Sequence, residues 1–298
     1  MVTKGEYDYY LAGQLWPVGL ILYLLRLCFP KKCRYFISCH GLDLESVKTN
    51  WLKKIIAKQI IKRAVLITVN SQATGHILKQ FTQPDKMITI YPAANKLTEP
   101  TASQLDELNQ KYNLNNQPIL LSVSRLVARK GQDLIINNLN QIWTKIPDLI
   151  YVCLGQGPEE QRLRQLASQT NKPKQIIFIT SATNEELAAW YQKAKLFCLP
   201  VHHCPTDPEG FGMVYLEANS FGLPVIGSQT GGIPEAIKNN ESGLIIEPDQ
   251  PEQLINAINQ LLTNQDLWEK LHQQAPIWAK HFDWPISAAN FFTAVKQL

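Results

Sequence analysis

The sequence predicts an α/β chain of two doubly wound domains, and three observations carry that expectation. The length, 298 residues, is about two domains at roughly 150 residues each. Short apolar runs alternate with helical patterns almost from end to end, which means parallel sheets covered on both faces. Glycine-bearing turns follow several of the strand-like runs, at the sheet edge where such folds bind ligands. The composition, 45% hydrophobic and 18% charged, excludes disorder, collagen and coiled coil.

In the first part, Tyr7–Ala12 reads as a strand, and Pro17 suits the first turn of a helix reaching about Leu27. Arg34–Cys39 is a second strand. Asn50–Arg63 is a helix with Trp51, Leu52, Ile55, Ile56 and Ile60 on one side. Val65–Val69 is a third strand, Ser71–Phe81 a capped helix and Met87–Tyr91 a fourth strand. A turn at Pro92–Asn95 leads into a polar stretch around Thr98–Ser103, the expected linker. Beyond it, apolar runs at Ile119–Val123, Leu149–Leu154, Ile176–Thr180, Leu196–Leu199, Pro224–Gly227 and Leu244–Glu247 are separated by helical patterns. Six such units complete a doubly wound domain.

Charge is unevenly spread. Residues 1–96 carry 14 Lys and Arg against 5 Asp and Glu, a net of +9, whereas residues 97–298 carry 15 against 20, a net of −5. The basic half fits either an anionic partner or a solvated face. The six cysteines contain no C-x-x-C pair and read as thiols of a reducing compartment. The longest apolar stretch, Leu15 to Leu25, is interrupted by Pro17 and falls short of the roughly 20 residues of a membrane span. It lacks the flanks of a signal peptide, so a cytoplasmic location is expected.

The segment richest in chemistry is Asp207-Pro-Glu209-Gly-Phe-Gly212-Met-Val-Tyr-Leu-Glu217-Ala. A helix is expected from near Gly212 to Gly222, and free N–H groups at a helix start attract anions. Glu209 and Glu217 flank that start. They suit sugar or ribose hydroxyls, which donate to carboxylates, or simply an acidic first turn favoured by the macrodipole. Gly210 and Gly212 are expected to let backbone approach a ligand closely. Ser124-Arg125-Leu-Val-Ala-Arg129-Lys130-Gly131 places cations after another strand, and Gly155-Gln-Gly157 and Gly231-Gly232-Ile-Pro234-Glu235 add two more glycine turns. His202, His203 and Cys204 are adjacent residues that rarely share one coordination sphere, and they read as loop rather than metal ligands.

Taken jointly, these segments resemble the retaining glycosyltransferases of the GT-B fold, within glycosyltransferase family 4. Glu209 and Glu217 meet the family's E-x7-E pattern, and the likeness extends through SRLVARKG, LGQGPE and PVIGSQTGGIPEAI. In the first part it continues through His40-Gly41-Leu-Asp43 and Asn70-Ser71-Gln-Ala-Thr74, so it covers nearly the whole chain. The resemblance implies two Rossmann-like doubly wound domains, the first incomplete. Residues 1–96 would be the acceptor-side domain, with a C-terminal helix, 281–298, packed back on it by Phe282, Trp284, Phe291 and Phe292. Residues 97–280 would bind the nucleotide sugar.

It further implies a hexosyl transfer, with retention, from a UDP-, GDP- or ADP-sugar to a glycan or lipid-linked acceptor. Arg125 and Lys130 would hold the diphosphate, Glu209 the donor sugar's hydroxyls and Glu217 the ribose. Phe211, Gly212 and Met213 would supply nearby contacts. His40 would lie near the anomeric centre; on its own it also fits a packed imidazole. Neither cofactor nor metal is expected, since the sequence offers no D-x-D pair, only Asp43–Glu45 and Asp207–Glu209. The fingerprint of a dinucleotide oxidoreductase fails because Glu160 occupies its third glycine position, and no nucleic-acid motif accompanies the basic helix.

That helix, with six Lys and Arg between Lys48 and Arg63, is expected to touch anionic membrane peripherally. The sequence departs from the family pattern at Thr180, where a glycine is usual, and at Pro92-Ala93-Ala94, where Pro-Asn-Gly is usual. Nothing before Tyr7 matches the family's opening strand and glycine-rich loop. The second expectation is therefore a truncated donor-binding fragment or subunit with little activity alone. Its strands at Arg34–Cys39 and Val65–Val69 would lack neighbours.

Overall fold

The computed structural model describes residues 7–48, 50–80, 82–84 and 86–298. The chain divides into two compact units: Met1–Ala93 with Cys204–Phe211 and Asp283–Leu298, and Ala94–His203 with Gly212–Phe282. Each is an α/β unit built on its own parallel sheet.

The first unit runs β1 (Tyr10–Ala12), α1 (Leu20–Cys28), β2 (Tyr35–Cys39), α2 (Leu42–Lys48), α3 (Trp51–Arg63), β3 (Leu66–Val69), α4 (Gln72–Lys79) and β4 (Met87–Thr89). Its sheet has the order β1-β2-β3-β4, all parallel. The expectation of strands without neighbours fails here: β2 pairs with β1 and β3, and β3 pairs with β2 and β4. The helix expected from Pro17 becomes regular only at Leu20, because Trp16 in the preceding turn is extended at φ −135°. The end predicted for helix α4, at Phe81, lies outside the described residues.

Helix α3 starts where Asn50 Oδ1 accepts the N–H groups of Leu52 and Lys53 at 3.0 and 3.1 Å, a side-chain cap. Its buried stripe is Ala57, Ile60 and Ile61. The sequence reading placed Trp51, Leu52 and Ile55 on that side, but they are 74%, 51% and 48% exposed. The i, i+3, i+4 set that meets the core is centred on the helix's second half, which leaves the apolar first turn in solvent. At the other end, Tyr35 Oη donates to Ile60 O at 2.6 Å. That carbonyl needs a partner, since Ala64, four residues on, donates to Ile61 instead.

The second unit runs α5 (Ala102–Tyr112), β5 (Ile119–Val123), α6 (Gln132–Lys145), β6 (Ile150–Leu154), α7 (Glu160–Ser168), β7 (Ile176–Ile179), α8 (Asn184–Lys193), β8 (Leu196–Leu199), α9 (Met213–Ser220), β9 (Val225–Ser228), α10 (Ile233–Ala236), β10 (Gly243–Ile246), α11 (Pro251–Thr263) and α12 (Gln265–Ala279). Helix α5 begins inside the stretch read as linker, because Thr101 and Gln104 form a reciprocal capping box. The sheet order is β10-β9-β8-β5-β6-β7. The chain therefore lays β5, β6 and β7 outward in one direction, then β8, β9 and β10 in the other. Its core is centred on Leu120, Ile135, Leu139, Leu196 and Ile226, all at 0% exposure.

The last helix, α13 (Trp284–Lys296), belongs to the first unit. Ser287 Oγ donates to Tyr91 O at 2.7 Å, and Phe291 meets Phe36 edge-on at 5.8 Å. Of the other aromatic anchors expected, Trp284 and Phe292 are 60% and 61% exposed. Phe282 is buried in the second unit, against Trp278. The segment Cys204–Phe211, read from sequence as part of the second domain, groups with the first because Gly210 packs on that unit. A β carbon there would stand 2.7 Å from Asn70 Nδ2 and 2.8 Å from His40 O.

Replacing Tyr35 with Phe strands the Ile60 carbonyl in the core and is expected to cost about 1–3 kcal/mol. Urea unfolding should show a lower midpoint at an unchanged slope.

Candidate functional site

In an open parallel sheet, ligands bind beyond the carboxyl ends of the strands where the winding direction reverses. In the second unit that reversal falls between β5 and β8. The loop after β5 carries Arg125 and Lys130, and the stretch after β8 carries His202. Helix α9, with Glu217, is the next helix in the chain.

Backbone contacts fix this edge. Gly131 takes φ +76° and packs so tightly that a β carbon would stand 1.9 Å from Pro200 O. The same test puts a Gly155 β carbon 1.8 Å from Ser124 O and a Gly157 β carbon 2.2 Å from Leu126 O. These glycines let the loops after β5, β6 and β8 lie directly on one another. Hydrogen bonds from Leu126 N to Gln156 O and from His202 N to Arg129 O, 2.9 and 2.8 Å, complete the layer. Gln132 is buried at the start of α6, and its Nε2 donates to Ser124 Oγ at 2.6 Å.

Within this layer Arg125 is exposed, while Lys130, closing a short turn at Ala128–Lys130, is only 8% exposed. Helix α9 starts from Gly212 at φ +98°, whose position over the Tyr215 ring leaves no room for a β carbon. Tyr215 Oη in turn donates to Leu199 O at 2.6 Å, tying α9 to the end of β8. Met213 is exposed.

Glu217, 5% exposed, accepts from Asn95 Nδ2 at 2.7 Å and from Tyr191 Oη at 3.1 Å. Burial pushes its carboxyl above the ordinary range, and these two hydrogen bonds oppose the shift. Neither partner was visible in the sequence. Asn95 sits in the Pro-Ala-Ala-Asn turn, and Tyr191 is a core residue of α8 whose ring stacks on Phe221 at 5.7 Å.

In the first unit, the carboxyl edge of the sheet gathers Gly13, His40 and Asn70, which follow β1, β2 and β3. Asp43 explains its own place in the H-G-x-D motif: its two oxygens accept the N–H groups of His40 at 3.0 Å and Leu15 at 3.3 Å. Gly41 between them takes φ +100°. His40 Nε2 lies 3.2 Å from Gly13 O. A carbonyl only accepts, so Nε2 donates in this contact, and Ser38 Oγ lies 3.3 Å from the same nitrogen. Ser71 caps α4 through Thr74 N at 3.0 Å, which accounts for the second motif. Glu209 is half-buried, and Phe211 is buried against Tyr91 at 5.5 Å.

Thus Arg125, Lys130, Gly212, Met213 and Glu217 belong to the second unit, and His40, Glu209 and Phe211 to the first. Gly210, expected to meet a ligand, packs instead on Asn70 and His40. Among the described residues, no group of three or more His, Cys, Asp or Glu could hold a metal ion. Cys33, Cys39, Cys153 and Cys198 are buried thiols, whereas Cys28 is exposed. No helix among the described residues is long and apolar enough to cross a membrane.

Two parallel sheets of four and six strands, with cations and glycine turns at the winding switch of the larger one, define an α/β protein of the GT-B type. Residues 105–278 match the family model of glycosyl transferases group 1, and the chain belongs to that family. It is 32% identical over 273 residues to the GDP-mannose-dependent alpha-(1-6)-phosphatidylinositol monomannoside mannosyltransferase of Mycolicibacterium smegmatis, covering 87% of this chain and 69% of the relative. It is 26% identical over 304 residues to the D-inositol 3-phosphate glycosyltransferase of Corynebacterium glutamicum, covering 96% of this chain and 71% of that one. Among solved structures, Anabaena HepE in complex with UDP superposes with a TM-score of 0.86 at 20% identity, over 99% of this chain and 80% of that one. Sucrose-phosphate synthase from Thermosynechococcus elongatus gives 0.81 at 23%, over 98% and 73%.

The raised Glu217 carboxyl has a testable sign. A buried acid whose folded pKa exceeds its unfolded value favours the native state while protonated, and that contribution is lost as pH rises through the folded pKa. Glu217→Gln should therefore gain thermal stability relative to the parent as pH rises through the carboxyl's titration. A stability difference independent of pH would contradict this.

Proposed function

We propose that the chain is a retaining family 4 glycosyltransferase that moves a hexosyl unit from a UDP-, GDP- or ADP-sugar to a glycan or lipid-linked acceptor. One observation carries the reading: the Arg125–Lys130 loop and the Gly212-capped start of α9 follow β5 and β8, the two strands between which the winding reverses. Cations there suit a diphosphate, whose charge grows as the sugar departs and is best met by groups already in place. In this reading Arg125 and Lys130 take the diphosphate, Glu217 the ribose hydroxyls, and Phe211, Gly212 and Met213 lie against the donor. Glu209 accepts from sugar hydroxyls, and His40 serves the anomeric region. Neither a metal nor a cofactor has a role in this reading, because the leaving charge is assigned to the two cations.

The relatives' names support a nucleoside diphosphate donor. The mycobacterial one is GDP-mannose-dependent, and HepE has been crystallised with UDP and with UDP-glucose. The phosphatidylinositol monomannoside in the first relative's name supports a lipid-linked acceptor. The exposed first turn of α3 fits that acceptor's surroundings. Trp51, Leu52 and Ile55 stand in solvent beside Lys53, Lys54 and Lys58, all exposed. An apolar edge flanked by cations suits an anionic bilayer surface, each cation contributing about 1 kcal/mol.

Lys130→Met keeps most of the aliphatic stem and removes the charge. It should weaken UDP or GDP binding by about 10- to 100-fold, the loss expected for one hydrogen bond to a charged group. Uridine or guanosine binding should stay nearly unchanged in calorimetry; equal loss of both would make Lys130 structural. Sedimentation with vesicles should show binding that rises with anionic lipid and falls with salt, and that weakens in Trp51→Glu. Binding indifferent to both lipid charge and salt would contradict the surface assignment.

A further inference from the structure

The second unit holds a charged cluster that no motif announced. His202, just past β8, lies with its ring between two carboxylates. Nε2 is 2.9 Å from Asp133 Oδ1, and Nδ1 is hydrogen-bonded to Asp249 Oδ1. Asp249 Oδ2 also accepts His203 N–H at 3.3 Å. Asp133 belongs to the first turn of α6, close after Lys130, and its Oδ2 pairs with Arg162 of α7 at 3.0 Å. Arg162 is paired in addition with Glu159. Both ring nitrogens thus face carboxylate oxygens. A neutral imidazole has one N–H, so only the imidazolium can donate to both.

The segment this cation holds already lies against the end of β8, with Gly131 packed on Pro200. Ala128–Lys130 is a single turn, and Gly131 follows at φ +76° before α6 begins. His202 reaches it twice, through its own N–H on Arg129 O at 2.8 Å and through its ring on Asp133. Asp249 anchors the other side of the ring from the loop after β10. The groups facing His202 are therefore Asp133 from α6, Asp249 from that loop, and, one contact further, Arg162 of α7 and Glu159 just before that helix.

We propose that His202 is a positioning residue for donor binding: a doubly hydrogen-bonded cation that locks the Arg129–Asp133 segment, and Lys130 within it, to the end of β8. The lock itself stands on geometry alone; that it serves a nucleotide sugar rests on the function proposed above. The hydrogen bond to Asp133, opposed by burial and aided by Asp249, holds the imidazolium proton up to about 9. Burial raises the Asp133 carboxyl, but hydrogen bonds from His202 and Arg162 outweigh it and bring the group down to about 2. The sign follows for a raised histidine: the lock is complete below the ordinary histidine range and is lost as pH rises through about 9.

The test is calorimetry with UDP and GDP from neutral pH to above the His202 titration, paired with hydrogen exchange of the unliganded protein. In the parent chain, the nucleotide Kd should rise about tenfold across the titration, within the usual range for coupled sites. His202→Gln should show that weaker Kd already at neutral pH, with a flat profile, and faster exchange across 129–133 after correction for intrinsic rates. His202→Arg keeps a cation and should bind tightly above the titration. Asp249→Asn removes one carboxylate charge while keeping an acceptor for the ring, and should move the midpoint down toward the ordinary histidine value. A His202→Gln chain with the parent's profile and protection would overturn the proposal, as would an unmoved midpoint in Asp249→Asn. If the parent binds neither nucleotide, the donor reading fails, and the exchange data still decide the lock.

Discussion

Backbone lying directly on backbone at the carboxyl edge of the six-stranded sheet is the constraint on which the rest of the second unit depends. Gly131, Gly155 and Gly157 each touch a carbonyl of a neighbouring loop at a distance no β carbon could tolerate. With no side chains between them, the loops after β5, β6 and β8 form one layer, and Arg125 and Lys130 project from fixed peptide groups rather than from a mobile turn. A side chain at Gly131 or Gly155 would have to move main chain as well as adopt a positive φ. The glycines that make the sequence look ligand-ready act first on the protein itself.

Beneath that layer, buried polar groups are aimed at specific partners instead of being excluded. Ser122 Oγ donates to Cys198 O at 2.5 Å, and Tyr151 Oη donates to Ser122 Oγ at 3.1 Å, joining β5, β6 and β8 inside the sheet. Tyr215 joins β8 to α9, and Tyr191 joins α8 to Glu217. Each such bond is modest in net energy, but breaking one strands a dry donor or acceptor, so the network specifies one arrangement of strand ends. Charge follows the same logic. The carboxylate that is buried, Glu217, has two neutral donors, while the histidine that is charged, His202, has two acids.

Much of this was legible from residue order. The strands Ile119–Val123 and Leu196–Leu199 appear at the predicted residues, because both faces of a central parallel strand are covered and its sequence is continuously apolar. The helix start at Gly212 and stop near Gly222 were legible because each needs a positive φ. Helix α3 was harder: its sequence is apolar on more than one side, and only the packing selects Ala57, Ile60 and Ile61 over Trp51, Leu52 and Ile55. Tyr191 and Asn95 could not be read as partners of Glu217, because no sequence spacing relates residues 26 and 122 positions apart. The His202 cluster was hidden for the same reason, its acids lying 69 and 47 positions away.

The central claim is that a nucleotide sugar occupies the switch between β5 and β8 of the second unit. Amide chemical-shift mapping during titration with UDP-glucose and GDP-mannose tests it most directly. The account predicts that at least one of them perturbs the Ser124–Gln132 loop and the start of α9 first and most. Saturable binding whose largest shifts fall elsewhere, such as the α5–α8 face lined by Glu107, Lys111 and Glu186, would contradict it.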